Sequence, residues 1–244
     1  MRAPGEPLPE LHYTALERLR VRRPVDRLEF LADSVKGKFV FDLGALDETA
    51  IDAKRGSGDW LHQRLCESAS RVVGIDNSAR LPVDGIDTLN GGRIIHADIF
   101  DLAPVIERFG RPDAIVAGEL IEHLADTSGF LKSLKKTPAL RDVQFIFSTP
   151  NACSWHNFLV GLLGRESMHR DHLQIYSYKT LRTLFARADI ELKQLVPCHA
   201  RFQEMISASR GAKAAGIRAV EWVVNRCESV TPMLSSGWIG VARL

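Results

Sequence analysis

The sequence has little cysteine and no long apolar run. Its four cysteines, Cys66, Cys153, Cys198 and Cys227, are widely separated and form no Cys-x-x-Cys pair, which argues against a disulfide framework and favours a reducing compartment. No segment reaches the apolar length needed to cross a bilayer, and the first residues lack the apolar stretch of a signal peptide. We therefore expect a cytoplasmic protein that does not associate with membranes.

The chain also lacks a large excess of charge of either sign, because 32 lysines and arginines are balanced by 30 aspartates and glutamates. The formal net charge of +2 provides no large basic field of the kind that drives non-specific nucleic-acid binding, although it leaves room for a local basic groove. The chain has neither an internal repeat nor a low-complexity segment. Its 244 residues, 45% of them hydrophobic, suffice for one sizeable α/β domain but not for two ordinary ones.

Apolar runs of strand length alternate with helical segments through the middle of the chain. Parallel strands are predicted at residues 39–43, 72–75, 94–97, 114–117 and 143–147. This alternation is typical of a parallel sheet covered by helices on both faces. Before these runs, residues 1–35 are expected to form a tail and two short helices broken at Pro24, and residues 36–244 a single domain.

The pattern changes after Pro150. Helices are predicted around residues 155–163, 178–188 and 208–227, and strands at 190–196 and 238–242. Two late strands after five parallel units are consistent with a Rossmann-like, seven-stranded, mostly parallel sheet with a late antiparallel strand. Segments at about 151–180 and 201–229 are predicted to be lid elements, although core packing and a solvated helix face are the alternatives.

Acidic residues stand at the ends of the first three predicted strands. Asp42 precedes Gly44 after the first strand, Asp76 ends the second, and Asp98 follows the third. Ligands of open α/β sheets bind at this edge, where a glycine lets the backbone approach the ligand and a carboxylate can accept hydrogen bonds from ribose hydroxyls. One such acid is commonly a helix cap, whereas three in order predict a nucleoside site, with Asp98 suited to an adenine amino group.

The chain from residue 40 to about residue 195 resembles the class I methyltransferases that use S-adenosylmethionine, particularly the branch that includes ubiquinone-pathway O-methyltransferases. The resemblance implies that S-adenosylmethionine is the cofactor. Its binding residues here would be Asp42, Gly44, Asp76, Asp98 and Glu119.

The first glycine motif departs from that family. Leu46 and Glu48 stand where the family has its later glycines, which bears on how the loop packs against the methionine part of the cofactor. The segment 58–62 resembles a subgroup in which an extended loop and a Trp-Leu-His helix start replace the missing glycines. For Trp60 and His62, ordinary helix packing is the alternative.

Glu119, Glu122 and His123 form a Glu-x-x-Glu-His pattern after the fourth strand. If the chain turned helical at Glu119, the three side chains would share one helix face, which could bind a divalent cation. Small-RNA 3′-terminal 2′-O-methyltransferases have a similar pattern with a downstream Asp-His, here Asp171 and His172, and hold magnesium with it. The ligands implied by this resemblance are Glu119, Glu122, His123 and His172, with magnesium or manganese as the ion.

Methyl transfer from a sulfonium needs an aligned acceptor and a base for the hydroxyl proton. His123 is the first candidate for this base and His172 the second, with or without a metal.

We expect a small-molecule or saccharide hydroxyl as the acceptor. RNA ribose methylation is the alternative, disfavoured by the near-neutral charge, and a catalytically silent binding protein is a third reading. A nicotinamide-dependent enzyme is ranked last because a full Gly-x-Gly-x-x-Gly is lacking. The oligomeric state is not indicated.

Overall fold

A computed structural model describes residues 18–47, 59–166 and 168–244, apart from the side chain of Glu204. Its strands, which form one sheet, are β1 (Phe39–Leu43), β2 (Arg71–Asp76), β3 (Ile86–Asp87), β4 (Arg93–His96), β5 (Ala114–Gly118), β6 (Gln144–Pro150), β7 (Glu191–Cys198) and β8 (Gly237–Arg243). The α-helices are α1 (Arg27–Ser34), α2 (Leu61–Ser68), α3 (Ala103–Phe109), α4 (Thr127–Lys136), α5 (Trp155–Leu162), α6 (Tyr178–Arg187), α7 (Gln203–Ser207) and α8 (Gly211–Val230).

The strand order in the sheet is β3-β4-β2-β1-β5-β6-β8-β7. β4, β2, β1, β5 and β6 are parallel to one another, whereas β3 runs antiparallel to β4, and β8 runs antiparallel between β6 and β7. The prediction of a Rossmann-like, mostly parallel sheet with a late antiparallel strand is confirmed, with the two-residue β3 as an eighth strand. Because the chain reverses its direction of travel across the sheet between β1 and β5, a crevice forms at their carboxyl ends.

The central strands read as apolar runs because both of their faces are buried. The described residues form three core clusters. On β1, Phe41 belongs to the largest of them, whereas its neighbour Val40 belongs to the second largest. β6 repeats this alternation, with Phe145 in the largest cluster and Ile146 in the second largest. Successive side chains of a strand point to opposite faces, so these two clusters lie on opposite sides of the sheet. Within the described ranges, no helix has both the length and the apolarity that crossing a bilayer needs.

The chain before the sheet differs from the prediction of two helices broken at Pro24. Residues 18–24 contain no helix, and residues 12–17 lie outside the described ranges. The backbone of Val25 instead pairs with the end of β7, donating to the carbonyl of Pro197 and accepting from the amide of His199. Asp26 then caps α1 by accepting from the amide of Glu29, so α1 is the one helix among the described residues before β1.

Candidate active site

A pocket of about 600 Å³ lies at the carboxyl ends of the central strands. Of the residues predicted to form the site, Asp42, Gly44, Asp76, Glu119, His123 and His172 line it. The fold therefore brings the ends of β1, β2 and β5 and the segment before α6 to one cavity. Its volume falls in the range of sites for small molecules and cofactors.

Asp76 joins the first loop to the end of β2. Its carboxylate accepts hydrogen bonds from the backbone amides of Leu46, at 3.0 Å, and Ser78, at 2.9 Å. An ionised carboxylate offers about four acceptor sites, so Asp76 retains capacity for two ribose hydroxyls. Leu46 therefore contributes a backbone contact at a position where the family has glycine.

Gly44 has a backbone conformation that favours glycine. Its φ of +73° is in the left-handed region, and a Cβ there would lie 3.0 Å from the Leu120 side chain. Its amide donates to the carbonyl of Ile75 at 2.9 Å, which ties the loop to β2. A side chain at this position would be strained and would also crowd the pocket wall.

Asp42 contacts His62, for which replacement of the glycines and ordinary helix packing are the two predicted roles. The Asp42 carboxylate is buried and lies 2.9 Å from Nδ1 of His62, whose Nε2 lies 2.9 Å from the Thr88 hydroxyl. Burial alone lowers the pKa of His62, but the hydrogen bond and charge of Asp42 outweigh it and raise this pKa to about 9. Burial also raises the pKa of the Asp42 carboxyl, although the hydrogen bond and charge of His62 oppose this shift. This buried pair fixes the end of β1 against α2.

Trp60 and His62 fill the space beside Gly44 and Ala45, the start of the first loop. The indole Nε1 of Trp60 donates to the carbonyl of Ala45 at 3.0 Å. A Cβ added to Gly74 would lie 3.0 Å from the His62 ring and 2.7 Å from Ala45 Cβ. For Trp60 and His62, the two predicted roles are replacement of the glycines and packing of the helix. The same contacts are consistent with both roles. Glu48 and Gly58 lie outside the described residues.

Asp98 is the predicted cofactor residue that lies away from the pocket lining. Its side chain is exposed, and Oδ1 accepts a hydrogen bond from the amide of Phe100 at 2.9 Å. This local turn orders the chain after β4. A contact between Asp98 and the adenine amino group stays a prediction.

Glu119 is not helical, contrary to the arrangement considered for the Glu-x-x-Glu-His pattern. Its φ is +52°, and a 3₁₀ helix spans only Ile121–His123. The Glu119 carboxylate accepts from the hydroxyl of Ser148 at 2.8 Å, and Arg27 donates to the same hydroxyl at 3.3 Å. Arg27 also lines the pocket, a role that no motif around it could have indicated.

Glu122, His123 and His172 nevertheless come together. One candidate ligand atom of each lies within 4.8 Å of the others, whereas Glu119 is outside this group. Backbone hydrogen bonds hold the two segments together, because the amides of Leu173 and Gln174 both donate to the carbonyl of Glu122. The pairing of these segments, not the turn of a helix, assembles the cluster.

The cluster contains polar atoms that the described chain leaves without partners. Both carboxylate oxygens of Glu122 and Nδ1 of His172 are buried and accept or donate no hydrogen bond within the described residues. Burial, with the nearby charge of Glu119, raises the pKa of Glu122 to about 9, and the nearby Thr149 hydroxyl and the charge of Arg27 oppose this shift only in part. Burial and the charges of His123 and His169 lower the pKa of His172. A divalent cation would satisfy these atoms and compensate the buried negative charge, so the residues fit a metal.

A third imidazole stands beside the cluster. The ring of His169 lies 6.1 Å from that of His123 and 5.5 Å from that of His172, measured between centroids. Nδ1 of His123 lies 3.1 Å from the carbonyl of Asp171, which orients its ring. Since a carbonyl only accepts, Nδ1 carries the proton and Nε2 keeps its lone pair. The sequence segment contained His169 but gave it no role.

This fold and pocket define a nucleoside-binding α/β enzyme, and comparison with known proteins gives its family. A family model described as a methyltransferase domain matches residues 17–195, so the chain belongs to this family of class I S-adenosylmethionine-dependent methyltransferases. The narrower resemblance to the ubiquinone-pathway branch stays a prediction. A comparison with curated proteins finds no match.

Three solved structures illustrate how widely this fold is used. The methyltransferase domain of bacterial CtHen1-CN is 20% identical, with a TM-score of 0.51 over 90% of this chain and 98% of that one. The small RNA methyltransferase HEN1 is 12% identical, with a TM-score of 0.53 over 94% of this chain and 27% of that one. The cyclase SpnF is 13% identical, with a TM-score of 0.51 over 88% and 79%. At these identities the likeness shows the fold alone.

Proposed function

We propose that the protein is an O-methyltransferase whose acceptor hydroxyl binds to a divalent cation, magnesium or manganese, held by Glu122, His123 and His172. The carrying observation is the buried Glu122 carboxylate, whose two oxygens have no partner in the described chain. Two neighbouring imidazoles complete a set of donors typical of a metal site. Glu119, predicted as a fourth ligand, is close enough for its charge to act on Glu122.

The cofactor half of the pocket lies beside this cluster. S-adenosylmethionine supplies a methyl group on a positively charged sulfur. Asp76, with spare acceptor capacity at the end of β2, would bind the ribose hydroxyls, and Gly44 would let the backbone approach the ligand. Asp42 keeps His62 in place and bounds the same pocket.

The residues around the cluster can align the acceptor and accept its proton. A bound cation polarises a hydroxyl and favours its alkoxide. The carbonyl of Asp171 holds the His123 ring in one orientation, and the lowered pKa of His172 keeps its ring neutral and able to donate a lone pair. Proximity and proton removal are what this transfer needs from the protein, since the sulfonium is already activated.

A metal-free mechanism is the second candidate. The hydrogen bond from His123 to Asp171 also suits a general base, because it leaves Nε2 free to take the hydroxyl proton. In that case Glu122 would remain protonated at neutral pH, as its raised pKa allows. Metal binding separates the two mechanisms.

The acceptor is proposed from the chemistry of the cluster. A cation with open positions binds two adjacent hydroxyls well, as found in saccharides and in the terminal ribose of RNA. The small-RNA methyltransferase among the structural neighbours agrees with the second acceptor, although the cyclase shows that this fold does not by itself determine the reaction. A small molecule or saccharide and an RNA end are therefore both tested.

Calorimetric titration tests both halves of the site. S-adenosylhomocysteine should bind to the wild type, and Asp76→Asn should weaken it at least tenfold. The matched control Asp113→Asn alters an aspartate that accepts the Phe39 amide at the opposite edge of the sheet, and should leave binding unchanged. Manganese should bind to the wild type and not to Glu122→Gln.

The acceptor is identified by mass spectrometry with a vicinal-diol saccharide, a short RNA, and the same RNA with a 2′-deoxy terminus. Gain of one methyl group by the saccharide, or by the RNA only when its terminal 2′-hydroxyl is present, would support the proposal. Cofactor binding without manganese binding would favour the metal-free base. Absence of both would contradict the proposed function.

A further inference from the structure

A short basic segment ends four residues before Arg27, which lines the pocket. Residues 18–23 read Arg-Leu-Arg-Val-Arg-Arg, and we call Arg18, Arg20, Arg22 and Arg23 the arginine arm. All four side chains are exposed, whereas the intervening Leu19 and Val21 are partly buried. The alternation turns the apolar side chains to the protein and the charges outward. In the part of the chain that the structure describes, no carboxylate forms an ion pair with any of the four.

Two contacts hold the chain at and just after the arm. Within the arm, Val21 packs against the largest core cluster, and two residues after the arm, Val25 pairs with Cys198 at the carboxyl end of β7. Two residues later, Arg27 lines the pocket and contacts Ser148, which in turn donates to Glu119. The arm therefore ends at the edge of the sheet where the pocket opens.

No acidic residue interrupts the arm, so a chain of near-neutral net charge carries four positive charges within residues 18–23. The acidic residues that flank the arm in sequence are Glu17, Asp26 and Glu29, and Asp26 is already paired with Arg201 at 3.3 Å. Such a patch beside a catalytic pocket attracts a polyanion and raises its local concentration.

We propose that the arginine arm binds the phosphate backbone of a single-stranded RNA whose terminal ribose enters the pocket. Guanidinium groups bind phosphate in a bidentate geometry, and side chains two residues apart in an extended segment repeat about every 6.6–6.8 Å. The arm lacks an exposed apolar face of the kind that inserts into lipid, because Leu19 and Val21 turn inward. This inference rests on the proposed function, since it selects RNA from the acceptors named above.

The test measures binding of a fluorescently labelled twelve-nucleotide RNA by anisotropy at several salt concentrations. The variant Arg18→Gln/Arg20→Gln/Arg22→Gln removes three charges of the arm. Its matched control, Lys132→Gln/Lys135→Gln/Lys136→Gln, removes three exposed charges from α4, none of which lines the pocket. Circular dichroism and manganese titration of each protein verify that the fold and the metal site are intact.

The arm variant should bind RNA at least tenfold more weakly at low salt, while the control keeps wild-type affinity. Loss of three phosphate contacts should reduce the slope of log K against log salt by about 2. Equal binding by all three proteins, or no RNA binding by the wild type, would overturn the inference. An acidic peptide that binds more tightly than RNA with the same arm dependence would also overturn it in favour of a protein partner.

Manganese titration keeps the two proposals separable. Manganese binding with arm-independent RNA binding would refute the arm and leave the metal site standing. Arm-dependent RNA binding without manganese binding would refute the metal mechanism and leave the arm standing.

Discussion

Replacing Glu122 by glutamine should stabilise the metal-free protein, although most substitutions at fully buried positions destabilise. Glutamine has nearly the same shape and leaves the neighbouring side chains in place, but it cannot ionise. The wild-type carboxyl has a pKa of about 9 in the folded protein against an ordinary value of 4.5. Folding at neutral pH must therefore protonate it, and the variant avoids that cost.

The size of the effect follows from proton linkage. A carboxyl whose folded pKa is raised contributes its full stability below pH 4.5 and loses it as the pH rises towards 9. Each pH unit in this window costs about 1.4 kcal/mol, so the wild type at pH 7 should be less stable than Glu122→Gln by about 3 kcal/mol. At pH 4.5 the two proteins should differ little.

Urea denaturation in a chelator at pH 4.5, 6, 7 and 8 measures this difference. Glu228→Gln is the matched control, because Glu228 is equally buried but accepts hydrogen bonds from His199, Ala200 and Ser236. Glu228→Gln should lower the free energy of unfolding by about 2–3 kcal/mol, the opposite direction to Glu122→Gln.

Manganese at a hundred times its dissociation constant should then raise the free energy of unfolding of the wild type by about 2.7 kcal/mol. It should leave the free energy of unfolding of Glu122→Gln unchanged. If Glu122→Gln proves as destabilising as Glu228→Gln at pH 7, Glu122 has a partner and the reasoning fails.

Two further predictions concern the residues beside the first loop. Between pH 6.5 and 9 the free energy of unfolding of the wild type should fall more steeply than that of His62→Gln. The reason is that the His62 imidazolium, paired with Asp42, stabilises the fold until it deprotonates near pH 9. Equal slopes in urea denaturation would contradict this pairing. Gly74→Ala should cost about 1–3 kcal/mol because the new methyl meets Ala45 Cβ at 2.7 Å, whereas Gly216→Ala, which meets nothing within 4 Å, should stabilise slightly in thermal unfolding.

The sheet could be predicted because each of its central strands is buried on both faces. The first strand was predicted with its observed bounds, Phe39–Leu43, and the late antiparallel strand followed from the change of pattern after Pro150. The two-residue β3 was missed, since two residues carry no periodicity. The prediction of a helix is wrong for residues 18–24, because the pairing of Val25 with Cys198 that holds this stretch is a contact between residues far apart in sequence.

Some residues of the site could likewise be predicted from the sequence, and others could not. Asp76 and Gly44 lie where the rules for strand ends place them, because those rules follow from the parallel topology itself. The sequence groups Glu119, Glu122 and His123 through helical spacing, whereas in the structure Glu119 is outside the group and the hydrogen bonds of Leu173 and Gln174 to Glu122 bring His172 into it. Arg27 could not be found, because its place in the pocket depends on the packing of α1.

The missing glycines are compensated by larger side chains. A glycine-rich loop keeps space open for the ligand, and here Leu46 turns its backbone amide to Asp76 while its side chain is buried. The space on the other side of the loop is filled by Trp60, which holds the carbonyl of Ala45, and by His62, which holds Asp42. The loop is therefore fixed by hydrogen bonds to side chains instead of by close backbone packing, which argues against reading the substitutions as loss of the cofactor site.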